Sequence, residues 1–157
     1  MKPKERKMTK PLRKEFSKPR IVLDTSPLIK LFIKEEGWED IEKIVCCVEN
    51  GQIEAAVCVA TFTEIYSKYT KEGRAESGKA RVQELRYAPY LKKLVISEEV
   101  AVKAGEFKGK YSVPLADALI AASAYYDRSI VISSDADFRQ IREAKTMTEK
   151  ELLSHLK

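Results

Sequence analysis

The chain has 157 residues, 44% of them hydrophobic and 34% charged, with a formal net charge of +5. That length holds one domain with a proper core and leaves little room for two. No apolar run approaches the roughly 20 residues of a bilayer span, and none follows the basic N-terminus as a secretory signal would require, so the expected location is the cytoplasm.

Three cysteines (Cys46, Cys47 and Cys58) without CxxC spacing, and a single histidine, His155, argue against a Cys/His zinc site or a histidine-activated nucleophile. Any chemistry then rests on carboxylates, hydroxyls and a hard metal. Residues 1–20 carry nine Lys/Arg against two Glu, whereas the rest of the chain carries 20 basic and 22 acidic groups. The basicity therefore belongs to an N-terminal tail over 1–20, expected to be disordered, ahead of a domain over 21–157. Such a tail either holds nucleic acid electrostatically or serves as a solubilising terminus.

Taken in chain order, Ile21–Leu23 reads as a short buried strand. Ser26 reads as a helix N-cap with Pro27 at the first helical position, followed by Leu28, Ile29, Leu31 and Phe32. Trp38–Asn50 has helical spacing, and Gly51 suits its stop. Ile53–Ala60 has strand length and composition. Thr61–Lys71 and Arg74–Leu85 read as helices, Leu94–Ile96 as a third strand, and Ser97 as the cap of a helix over Glu98–Lys108. Pro114–Tyr126 is a long apolar helix. Ile130–Ile132 is a fourth strand, Phe138–Glu143 a short helix, and Ala144–Met147 a short fifth strand. Thr148-x-x-Glu151 is a capping box that opens a final helix. Strands alternating with helices predict an α/β domain with a central, mostly parallel sheet of about five strands, whose ligands bind beyond the carboxyl ends of the strands.

Between Val113 and Tyr126 the only charged residue is Asp117. A carboxylate on a helix that apolar needs a partner, because the helix dipole offsets only ~0.3–1 kcal/mol of its burial. Asp24 ends the first strand, and Asp135 with Asp137 follows the fourth. Each acid also has a plainer reading. Asp24 could cap the next helix, Glu64 could close a capping box with Thr61, and one of Asp135 and Asp137 could cap the short helix after them. Converging acids at strand ends, by contrast, form a pocket that repels itself without Mg²⁺ or Mn²⁺. Such ions activate water and stabilise a leaving oxygen in phosphodiester hydrolysis.

Four segments carry a resemblance: Val22-Leu23-Asp24-Thr25-Ser26-Pro27-Leu28-Ile29, Thr63-Glu64-Ile65, Leu115 to Ala124 around Asp117, and Ile132-Ser133-Ser134-Asp135-Ala136-Asp137-Phe138. In this order and spacing the chain resembles a PIN domain, most closely the compact VapC-type toxin ribonucleases of prokaryotic toxin–antitoxin pairs, over about residues 21–155. The resemblance implies a three-layer α/β/α fold and an acidic cleft binding Mg²⁺ or Mn²⁺. Asp24, Glu64, Asp117 and Asp135 match the family's acidic quartet, with Asp24, Asp117 and Asp135 as metal ligands. Asp137 matches a supporting acid, Ser26 or Thr25 a hydroxyl near the first acid, and Ser133 the hydroxyl before the last. It also implies an RNA substrate, a homodimer and a small antitoxin partner covering the cleft. Lys68, Lys71 and Arg74 are candidates for holding the RNA backbone, or else form a solvated helix face. The basic segment ahead of the first strand departs from the compact toxins and leaves open a stand-alone PIN protein in RNA processing. A PIN-like module that binds RNA or protein without turnover is a further alternative. A phosphoryl-accepting receiver domain fits poorly, because the first strand ends on one acid rather than a pair.

Overall fold

The computed structural model describes residues 18–156, so the expected basic tail lies, up to residue 17, outside the described residues. In these residues five strands form one sheet: β1 (Arg20–Leu23), β2 (Glu54–Cys58), β3 (Leu91–Leu94), β4 (Ile130–Ile132) and β5 (Thr146–Met147). Their order is β3-β2-β1-β4-β5, and every pairing is parallel. Among the described residues eight helices connect or flank them: α1 (Thr25–Ile33), α2 (Trp38–Glu49), α3 (Ala60–Lys71), α4 (Ala75–Tyr87), α5 (Glu98–Tyr111), α6 (Leu115–Asp127), α7 (Ala136–Gln140) and α8 (Glu149–His155).

Side chains alternate across each strand, so both faces of a parallel sheet are buried. Val22, Ala56, Cys58 and Val131 face one core with α5, α6 and α7. Ile21, Leu23, Ala55, Val57 and Ile132 face the other with α1 to α4 and α8. This is the three-layer α/β/α arrangement expected. Helix α6 owes its largely apolar character to its position: Ala118, Ala121, Ala122 and Ala124 are buried, and their small side chains let it lie close to β1, β2 and β4. Among the described residues no helix is long and apolar enough to cross a membrane.

Several boundaries differ from the sequence expectation. Helix α1 is capped by Asp24, whose side chain accepts the Thr25 N–H, and not by Ser26. Pro27 then falls at the third helical position, where its missing N–H is still without consequence. The third strand runs over Leu91–Leu94 rather than 94–96. It pairs with β2 so that Leu91 and Leu94 are buried, leaving Val95 and Ile96 exposed beyond its end. Helix α3 begins at Ala60, one residue earlier than expected, with no side-chain cap, so Thr61 and Glu64 form no capping box. Helix α7 ends at Gln140 and β5 shrinks to two residues. Thr148 caps α8 by accepting the Glu151 N–H, and the Glu151 carboxylate, which pairs with Arg139, also returns to the Thr148 backbone as the capping box expects.

Helices α3 and α4 pack closely through Gly78. A Cβ there would lie 2.7 Å from Tyr69 Cβ, and Tyr69 is itself buried. Gly78→Ala is therefore expected to push the hairpin apart and destabilise the domain by about 1–3 kcal/mol, against a helix-propensity gain of about 1. The urea midpoint measures the balance, and an unchanged or higher midpoint would show that the hairpin yields freely.

Candidate functional site

The chain runs outward from β1 to β2 and β3, then returns to the other side of β1 for β4 and β5. The reversal lies between β1 and β4, and a crevice opens at the carboxyl ends of such a strand pair. The register Leu23↔Ile132 sets Asp24 and Ser133 side by side just past the two strands, with the Asp24 N–H bonded to Ile132 O at 3.2 Å.

Asp24 is 2% exposed and is the hub of the site. Its Oδ1 accepts the Thr25 N–H at 2.7 Å, and its Oδ2 accepts the Ser133 hydroxyl at 2.7 Å. Ser133 Oγ in turn accepts the Asp135 N–H at 3.0 Å, and Asp135 Oδ1 accepts the Asp137 N–H at 2.9 Å. Asp135, not Asp137, is thus the cap of α7. On the other side, the Thr25 hydroxyl donates to Glu64 Oε1 at 2.6 Å and lies 3.0 Å from Thr61 Oγ1. Since its single proton goes to Glu64, Thr61 is the donor of that second pair.

Asp117 enters from α6, at the third helical position after Pro114, and is 7% exposed. One carboxylate oxygen from each of Asp117, Asp135 and Asp137 lies within 4.8 Å of the others. Burial raises the Asp117 carboxyl to about 7, and the like charges of Asp24, Asp135, Glu64 and Asp137 push in the same direction. Burial also raises Asp24 to about 6, with Glu64 and Asp135 adding to it, although the Ser133 and Thr25 donors pull it down. All four acids of the expected quartet therefore belong to one electrostatic cluster.

The arrangement refines the expected roles. Asp137, expected as support, stands in the tightest three-acid group, whereas Asp24 has both oxygens engaged by donors. Ser26 is exposed and makes no hydrogen bond to the acids, so Thr25 takes the hydroxyl position and Ser133 keeps the other. Close oxygen donors of like charge, two of them held partly protonated, fit a hard divalent cation, which would relieve their repulsion.

Of the expected basic residues, Lys68 and Lys71 line a cleft with Glu64, and Arg74 does not. Lys68 pairs with Glu72 at 3.0 Å, and Arg74 reaches the same carboxylate at 3.8 Å with its guanidinium 5.0 Å from the Tyr69 ring centroid. Lys71 is exposed and makes no ion pair among the described residues. With Glu64, Ser67, Lys68 and Glu72 it lines a cleft of about 400 Å³. The sequence reading missed Glu149, the first residue of α8. It is buried, and its Oε2 accepts the hydroxyl of Ser134, the neighbour of Asp135. Nothing local distinguishes it from any acid in a first helical turn.

No curated protein matches the sequence. Among solved structures, a chain of VapBC2 from Rickettsia felis bound to a promoter DNA fragment aligns at TM-score 0.66 and 14% identity, covering 82% of this chain and 98% of that one. A toxin–antitoxin complex from Klebsiella pneumoniae aligns at TM-score 0.59 and 22% identity over 82% and 97%. PAE2754 from Pyrobaculum aerophilum gives 0.59 and 14% over 88% and 95%. At these identities the likeness is one of fold. The sequence family described as PIN domain matches residues 21–144, which run from within β1 past α7 and include Asp24, Glu64, Asp117, Asp135 and Asp137 but not Glu149. On that match and this fold, the chain belongs to the PIN domain family.

Proposed function

We propose that this protein is a divalent-metal-dependent endoribonuclease, and that it acts as the toxin of a VapBC-type pair with a small antitoxin partner and as a homodimer. The observation that carries the nuclease reading is the convergence of Asp24, Glu64, Asp117, Asp135 and Asp137 at the β1/β4 crevice. Membership of the PIN family supports hydrolysis, and the fold shared with chains of VapBC structures supports the toxin setting.

Asp117, Asp135 and Asp137 would hold Mg²⁺ or Mn²⁺, with Asp24 completing the set through its free lone pairs. When bound, such an ion activates water and stabilises the leaving oxygen of a phosphodiester. Thr25 fixes Glu64 at the rim, where its second oxygen orients the attacking water and takes up its proton. Ser133 holds Asp24 against the β4 end and, through the Asp135 N–H, sets the spacing of the two strand-end acids. Lys71 and Lys68 line the cleft next to Glu64 and supply positive charge for the RNA backbone, Lys68 by exchanging Glu72 for a phosphate.

The test is cleavage of end-labelled single-stranded RNA by the purified protein with Mn²⁺. Cuts leaving 5′-phosphate and 3′-hydroxyl ends, abolished by EDTA and restored by added Mn²⁺, are expected. Cleavage that survives chelation, or that leaves 2′,3′-cyclic phosphates, would overturn the mechanism.

A further inference from the structure

Glu149 is a buried acid that the proposed chemistry leaves unused. It is 6% exposed, yet its Oε1 accepts no hydrogen bond, and the nearest cation, Lys30 Nζ, stands 3.9 Å away. Its Oε2 accepts the Ser134 hydroxyl at 3.0 Å. Lys30 belongs to α1, the helix capped by Asp24, and its chain lies against Gly37: a Cβ there would be 3.8 Å from Lys30 Cδ and 4.0 Å from Nζ. A positive φ of 89° suits Gly37 to that close approach.

We propose that Glu149 is a positioning residue for the acidic site, holding the Ser133–Asp137 turn through Ser134 while Lys30 balances its charge. The reason lies in what else restrains the turn. Ser133 donates its N–H to Met147 O; of the other side-chain bonds, Ser133 to Asp24, Asp135 N–H to Ser133 and Asp137 N–H to Asp135 run within the acidic cluster, and Asp137 Oδ1 also accepts from Gln140 within α7 at 3.2 Å. This chain of bonds links Asp24, Asp135 and Asp137, acids whose charges repel one another. Among the described residues, Ser134 is the one side chain of residues 133–135 tied to an element outside the cluster. Glu149 thus anchors the turn carrying Asp135 and Asp137, and through Lys30 it joins that turn to the helix carrying Asp24. Partners behind the ligands of a metal act in this way, and their loss typically costs about 10–100-fold in metal affinity.

The metal-related half of this inference rests on the proposed divalent-cation site, so the experiment has a readout with no metal in it. Amide hydrogen exchange is followed at Asp135 and Asp137 in the metal-free wild type, Ser134→Ala, Glu149→Ala and Glu149→Gln, with the Ala118 amide of α6, bonded to Pro114 O, as reference. Mn²⁺ binding is then measured by calorimetry. Ser134→Ala and Glu149→Ala are expected to speed exchange tenfold or more at residues 135 and 137 only, and to weaken Mn²⁺ binding about 10–100-fold. Glu149→Gln, whose side-chain oxygen still accepts from Ser134, is expected to stay near wild type. Ser134 is exposed, so its variant keeps the test open should Glu149→Ala fail to fold. Unchanged exchange at 135 and 137, equal quickening at Ala118, or a Gln variant as impaired as the Ala variant would overturn the proposal. Local quickening in a protein whose wild type takes up no Mn²⁺ would uphold the anchor and overturn the metal site instead.

Discussion

Asp117→Asn is expected to cut Mn²⁺-dependent RNA cleavage roughly a thousandfold while making the metal-free protein more stable. Removing partners behind a metal already costs about 10–100-fold. A carboxylate that belongs to the tightest three-acid group and reaches it from a different element than the other two should cost more. The stability gain has a separate origin. With its carboxyl raised to about 7 from 3.8, Asp117 is disfavoured as an anion in the folded protein by burial and by four neighbouring acids. Native protein therefore binds more protons than unfolded chain between about pH 4 and 7, so this group's contribution to stability falls as pH rises through 7. Asn removes the charge at nearly constant shape. Its advantage should be only about a third of its full size at pH 5, because it builds up between the unfolded value of 3.8 and the folded value of about 7. At pH 8 it should reach roughly 1–2 kcal/mol, less than the full shift implies because the crevice opens to water. Urea unfolding of both proteins at the two pH values, without metal, measures it. A loss of stability at pH 8 would show that Asp117 is held by structural hydrogen bonds and is not a ligand in waiting.

Much of the site was legible in the sequence because its signal is local and energetic. A single charge on the apolar 113–126 stretch demands a partner whatever the tertiary context, and acids at the ends of Ile21–Leu23 and Ile130–Ile132 stand where a parallel sheet puts its crevice. For the cap of α1 the sequence offers both Ser26 before Pro27 and Asp24 at the strand end, and the register with β4 decides for Asp24, whose own carboxylate reaches the Thr25 N–H. Likewise Thr61-x-x-Glu64 satisfies a capping pattern, but Thr25, distant in sequence, supplies a better donor for Glu64. The third strand was placed late because Val95 and Ile96 look more strand-like than Lys92 and Lys93, although pairing with β2 fixes the earlier register. Glu149 could not be found at all. Its burial exists only because α8 closes over the β4–α7 turn, and no spacing in the sequence encodes that.

The second large effect is a proton–metal competition. At pH 8, with Mn²⁺ a hundredfold above its dissociation constant, the wild-type protein is expected to gain about 2.7 kcal/mol, or about 5–11 °C in Tm for a chain of this size. Bound metal requires both raised carboxyls to be ionised. Asp117 is raised to about 7 and Asp24 to about 6. Below about pH 7 one proton must leave on binding, so affinity should drop up to about tenfold per pH unit; below about 6, with two protons to displace, the drop approaches a hundredfold per unit. The metal-free protein moves the opposite way, since both acids destabilise it as they ionise. Melting curves with Mn²⁺ and with EDTA should therefore nearly coincide at pH 5 and separate steadily towards pH 8. In Asp117→Asn the step near pH 7 should vanish, leaving only the weaker rise through 6 set by Asp24, which Ser133 and Thr25 already partly ease. A constant separation across this range would mean that Mn²⁺ binds elsewhere on the surface, because the two raised carboxyls, Asp24 and Asp117, both line the β1/β4 crevice.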